Sequence, residues 1–88
     1  MTNIKLQYPI NVENEAYDNI TMRRSKVKDR LAVSSMKNAT DEEKEIRLFA
    51  NLCEVSTAVI SELDEIDYNT LQKTYMAFFG SEGTLGEK

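Results

Sequence analysis

Thr40-Asp41-Glu42-Glu43-Lys44-Glu45-Ile46-Arg47-Leu48-Phe49-Ala50-Asn51-Leu52-Cys53 spells a helix from its cap to its buried face. The Thr40 hydroxyl is placed to accept from the Glu43 amide while the Glu43 side chain reaches back, the reciprocal pattern of a capping box. Asp41, Glu42 and Glu43 also set negative charge at the positive end of the helix dipole. Ile46, Phe49, Ala50 and Cys53 then recur at helical spacing, and Leu48, Leu52 and Val55 widen the same face. This segment is the expected core helix.

Upstream the period changes from helical to two. Ile4, Leu6 and Tyr8 alternate with Lys5 and Gln7, and Ile10 and Val12 continue the even-numbered face. Pro9 has no amide proton to give a ladder, so it marks an edge or a break. Glu13-Asn14-Glu15 is the turn signal, with Asn14 best suited to a left-handed backbone. A hairpin of about residues 3–12 and 16–23 is expected. Ser25 then reads as the N-cap of a helix over about 26–36, with Val27, Leu31 and Met36 as a thin apolar stripe, closed by Lys37-Asn38-Ala39.

Downstream, Ser56 can cap a short helix carrying Val59, Ile60 and Leu63. Asp64 or Asp67 can cap a last one, striped by Tyr68, Leu71, Tyr75 and Phe78 with Phe79 beside them. Gly80 suits the left-handed position after a helix end. The reading is α+β, an N-terminal β-hairpin followed by three or four short α-helices. Residues 1–79 form one domain in this reading, and 80–88 a flexible C-terminal tail.

Composition narrows the function. Of 88 residues, 41% are hydrophobic and 30% charged, ordinary globular usage rather than that of a disordered chain. There is no histidine and one cysteine, which removes an internal disulfide, histidine-based acid–base chemistry and the usual zinc sites. No catalytic residue, cofactor or metal is expected, and the chain is read as a non-enzyme. With no signal-peptide pattern and no apolar run long enough to span a bilayer, no membrane contact is expected and the cytoplasm is the expected compartment.

Charge is divided along the chain. Residues 1–39 carry seven Lys/Arg against four Asp/Glu, and residues 40–88 four against eleven, so net charges of +3 and −7 lie within one chain of −4. Arg23, Arg24, Lys26, Lys28 and Arg30 concentrate the positive charge, with Lys26 and Arg30 on one helix face. This is either a solvated or internally matched surface, a protein contact, or a phosphate-binding patch whose affinity would fall steeply with salt. No aromatic residue stands among these charges in sequence to stack a base, so nucleic acid is not the expected partner. The Asp41, Glu42, Glu43 and Glu45 carboxylates are explained by helix capping, and Cys53 by burial on an apolar face. Tyr75-Met76-Ala77-Phe78-Phe79 carries more apolar girth than one core face of a short helix needs, and reads either as core alone or as core plus a surface that covers a partner.

Ile4-x-Leu6-x-Tyr8-Pro9-Ile10-x-Val12, followed by Ile20-Thr21-Met22-Arg23-Arg24-x-Lys26-Val27-x-Asp29, resembles the opening of the small tail assembly chaperones of Mu-like contractile-tailed bacteriophages. Glu43-x-Glu45-Ile46-Arg47-Leu48-Phe49-Ala50-Asn51-Leu52-Cys53, Glu62-Leu63-Asp64 and Asp67-Tyr68-x-x-Leu71-Gln72 extend the resemblance over about residues 4–79. The sequence departs from the family at the turn, Asn14-Glu15 where Asp-Gly is frequent, and at Ser25, where Pro commonly follows the Arg pair.

The resemblance implies a non-enzymatic role in phage or prophage tail morphogenesis: coating the tape measure protein, keeping it soluble and recruiting tail tube subunits, without entering the mature virion. It also implies a longer form made by programmed frameshifting. Phe78-Phe79-Gly80 must be encoded by TTY-TTY-GGN, so a slippery run of T and an overlapping second frame are expected there. Self-association and association with that longer form complete the expected partners. From the residues themselves, Tyr75, Phe78 and Phe79 are the candidates for the apolar contact and Arg23, Arg24 and Lys26 for the polar one. The rival readings are a small regulator binding nucleic acid through residues 23–30 and a generic protein-interaction module.

Overall fold

The computed structural model describes residues 1–79. Strand β1 (Thr2–Val12) and strand β2 (Glu15–Met22) form an antiparallel hairpin, followed by helices α1 (Val27–Ser34), α2 (Asp41–Cys53), α3 (Thr57–Glu62) and α4 (Glu65–Phe78). The architecture is α+β, as the change of period implied. The expected tail over 80–88, with the Gly80 helix stop, lies outside the described residues.

The hairpin turns on Glu13 and Asn14, with φ of 52° and 67°, the pair of positive values that a two-residue type I′ turn demands. Val12 pairs with Glu15, so the turn centres one residue earlier than the Asn14-Glu15 reading. Ile4 pairs with Ile20 and Ile10 with Tyr17, and the register shifts between Lys5 and Ile10. That shift is a bulge in which residues 6–9 of β1 stand opposite Asp18 alone, and it contains Pro9, which cannot donate to the ladder. Ile4 and Leu6 are buried and Ile10 and Val12 pack at the core margin, but Tyr8 stands 52% exposed. The even-numbered face is therefore broken at Tyr8, because the bulge turns this residue out of the period.

What holds the bulge is on the last helix. Asp67 is 1% exposed, and its Oδ1 and Oδ2 accept from the backbone amides of Gln7 at 2.9 Å and Tyr8 at 3.0 Å. Two ladder donors orphaned by the bulge are thereby satisfied by one carboxylate. The cap of α4 is Asp64, whose side chain accepts from the Ile66 amide at 2.9 Å. Of the two aspartates read as alternative caps, one caps and the other clamps the hairpin.

The helices cover one face of the hairpin, α4 and α3 against β1 and α2 against β2. Ile4, Leu6, Ile20 and Met22 meet Phe49, Ala50, Leu52 and Cys53 of α2. Val59, Ile60 and Leu63 from the α3 segment and Leu71 of α4 complete the same core. The capping box forms as read, Thr40 Oγ1 accepting from the Glu43 amide at 3.1 Å and Glu43 Oε1 from the Thr40 amide at 2.9 Å. Ser56 occupies the N-cap of α3, but its side chain makes no capping bond. Burial pushes the Cys53 thiol up to about 12, so it stays protonated at neutral pH and packs as an apolar group.

Helix α1 departs furthest from its sequence reading. It is shorter than residues 26–36, its N-cap is Lys26 rather than Ser25, and its intended stripe faces outward, with Val27 75% and Leu31 61% exposed. The inward face is set by Asp29, 3% exposed, with Val33 one turn on. Asp29 accepts from the Lys26 amide at 2.8 Å and from both terminal nitrogens of Arg23 at 2.9 Å, and this ion pair fixes where the helix starts and how it is rotated. Leu31→Ala is accordingly expected to change unfolding free energy by less than about 0.5 kcal/mol. A loss of about 2 kcal/mol or more in urea titration, the cost of a core leucine, would place Leu31 inside.

Candidate functional site

The six candidate binding residues separate into two groups. Arg23 is committed internally. Its backbone amide donates to the Leu52 carbonyl at 3.1 Å, its guanidinium holds Asp29 and the Arg24 carbonyl, and its Nε lies 3.7 Å from the Glu54 carboxylate. The bond to Arg23 is the main cause that holds the Asp29 carboxyl below its ordinary range, and the Lys26 amide adds to it. Arg23 thus joins the end of β2, the start of α1 and the end of α2.

Arg24 reaches α4. Its Nη1 donates to the Phe78 carbonyl at 3.0 Å and its guanidinium carbon lies 5.8 Å from the centre of the Phe78 ring. A cation over an aromatic face and beside the last carbonyls of a helix is favourable on both counts. Arg24 and Phe78 therefore hold each other, and they fix the end of α4 against the segment that leads into α1.

The remaining three, Lys26, Tyr75 and Phe79, come together. They line a groove of about 390 Å³ between α1, α2 and the end of α4. Val27 and Val33 of α1 and Leu48 of α2 add aliphatic surface, and Arg30 stands one turn from Lys26. Tyr75 is anchored by an edge-on contact with Phe79 at 5.1 Å between ring centres and a tilted one with Phe49 at 5.7 Å. Phe49 also meets Tyr68 at 5.6 Å, so the groove's aromatic wall is continuous with the core. The Tyr68 hydroxyl and Gln72 both donate to Glu45, which ties α4 to α2 behind that wall. Burial, and then the Glu45 carboxylate, hold the Tyr68 phenol above its ordinary range.

Such a groove, apolar inside and basic along one rim, can cover apolar side chains of a partner and attract negative charge beside them. The sequence pointed to Lys26, Tyr75 and Phe79 but not to Arg30, Val33 and Leu48 as companions in one site. The signal for Arg30 was its place one turn from Lys26. Val33 carried no signal and Leu48 only that of the apolar face of α2, because their role in the groove follows from how α1 packs on α2. Among the described residues no group of three or more His, Cys, Asp or Glu side chains is placed to hold a metal ion. No helix of the described residues is long and apolar enough to cross a membrane.

The family model described as phage tail assembly chaperone proteins, E, or 41 or 14, matches residues 3–80. No curated protein and no solved structure gives a significant match.

Proposed function

The chain belongs to the phage tail assembly chaperone family, and from that premise we propose that it is a non-enzymatic chaperone that binds the tape measure protein and helps recruit tail tube subunits during tail morphogenesis. The observation that supports this reading best is the open groove whose apolar lining is anchored by Tyr75 and Phe79 and bordered by Lys26 and Arg30. A long helical protein exposes apolar stripes that aggregate until they are packed, and a small domain with a spare apolar surface can shield them reversibly. In this reading the protein works in the host cytoplasm and leaves before a contractile tail is complete. A longer frameshifted product sharing this domain acts beside it.

Co-expression with the long helical protein encoded just downstream tests the reading. The downstream protein is expected to shift from the insoluble to the soluble fraction and to co-purify with several copies of this chain. A downstream protein that stays insoluble beside abundant, well-folded chaperone would refute it.

A further inference from the structure

We propose that the groove between α1, α2 and α4 takes an amphipathic helix that carries carboxylates beside its apolar stripe. The inference rests on the chaperone reading for the partner's biological source, and on the groove alone for its chemistry. Shape comes first. A groove of about 390 Å³, walled by two helices and the end of a third, admits a few large side chains projecting from one face of a helix. Val27, Val33 and Leu48 offer aliphatic contacts, and Phe79 covers the end where Tyr75 supports it.

Charge then selects among helices. The chain carries −4 overall, yet among the described residues the groove is lined by Lys26 and Arg30 and by no acidic side chain. Among the described residues neither cation is in an ion pair. Lys26 is also the N-cap of α1, and because the Asp29 carboxylate already accepts from its amide, the positive charge of the rim comes from the Lys26 and Arg30 side chains. A helix with lysines flanking its stripe would meet like charge, whereas one with glutamates would pair at the rim while its apolar residues fill the groove.

Single-stranded nucleic acid is the competing occupant, because Tyr75 and Phe79 stand beside the cations as stacking rings could. Two features favour the helix. Tyr75 and Phe79 are packed edge-on against each other rather than open as parallel platforms. Two cations are also too few to track a phosphate backbone.

The test uses two fluorescent single-helix peptides with the same leucine stripe, one flanked by glutamates and one by lysines, titrated into the full chain. The glutamate peptide is expected to bind at least about tenfold more tightly, with affinity falling as salt rises. In a Lys26→Glu/Arg30→Glu variant the preference is expected to reverse. In Phe79→Ser both peptides are expected to bind at least about tenfold more weakly, while the circular dichroism spectrum is retained. Equal affinity for the two peptides, no binding of either, or displacement of the glutamate peptide by a single-stranded oligonucleotide would overturn the proposal. Its failure is separable from that of the chaperone reading. A tape measure protein solubilised by a chain that ignores peptide charge keeps the latter and removes the former. Charge reversal without solubilisation does the opposite.

Discussion

Asp67→Ala is expected to lose about 3–5 kcal/mol of unfolding free energy, against the roughly 5–10 kcal/mol that a domain of this size possesses. The size follows from what the carboxylate does. It accepts both amides left over where β1 bulges, at 2.9 and 3.0 Å, from a position 1% exposed. Alanine removes the acceptor of both amides, and each donor left unsatisfied costs about 1–3 kcal/mol. Asn at the same position keeps one acceptor and turns an amide donor toward the second amide. Asp67→Asn is therefore expected to lose about half as much and to serve if the alanine variant does not fold. Urea titration reads both. An Asp67→Ala midpoint equivalent to a loss under about 1 kcal/mol would mean that water, not Asp67, satisfies the bulge.

Arg23→Ala is expected to cost about 2–4 kcal/mol, because it leaves the Asp29 carboxylate buried with only the Lys26 amide as partner. The partial exposure of Arg23, 21% at the side chain, keeps the figure below that of a fully enclosed pair. The loss depends on pH with a definite sign. Arg23 lowers the Asp29 carboxyl in the folded state below its ordinary 3.8. A lowered carboxyl stabilises the fold above the unfolded value, and that stabilisation disappears as pH falls through the folded one. The gap between wild type and Arg23→Ala should therefore be full above about pH 4 and narrow below it. A gap of unchanged size across the acid limb would mean that the arginine acts through packing alone.

These two carboxylates mark where the sequence was opaque. The capping box at Thr40 and Glu43 was legible because cap and partner are three residues apart. The bulge was not, since its partner Asp67 lies 60 residues from Gln7, and Pro9 signalled only that the ladder breaks. Periodicity put Val27 and Leu31 inward, but the bidentate Arg23–Asp29 pair rotates α1 so that Asp29 is buried and they are not. A thin apolar stripe is weaker than a buried Asp29 that accepts three hydrogen bonds, two of them from Arg23. The same rotation makes the groove: it brings Val27, Arg30 and Val33 opposite Leu48 and the end of α4. Lys26, Tyr75 and Phe79 were identifiable as candidates from composition and spacing. That they share a site, while Arg23 and Arg24 serve the fold around it, was a property of packing.

The most direct measurement is the soluble fraction of the co-expressed tape measure protein beside wild type, Phe79→Ser and Leu31→Ala. Phe79 is 37% exposed at the end of α4, and Leu31 is exposed on α1 without lining the groove, so neither substitution removes core. The expected result is solubilisation by wild type and Leu31→Ala and its loss with Phe79→Ser. Equal solubilisation by all three would contradict a groove-centred chaperone, and none with wild type would contradict the chaperone itself.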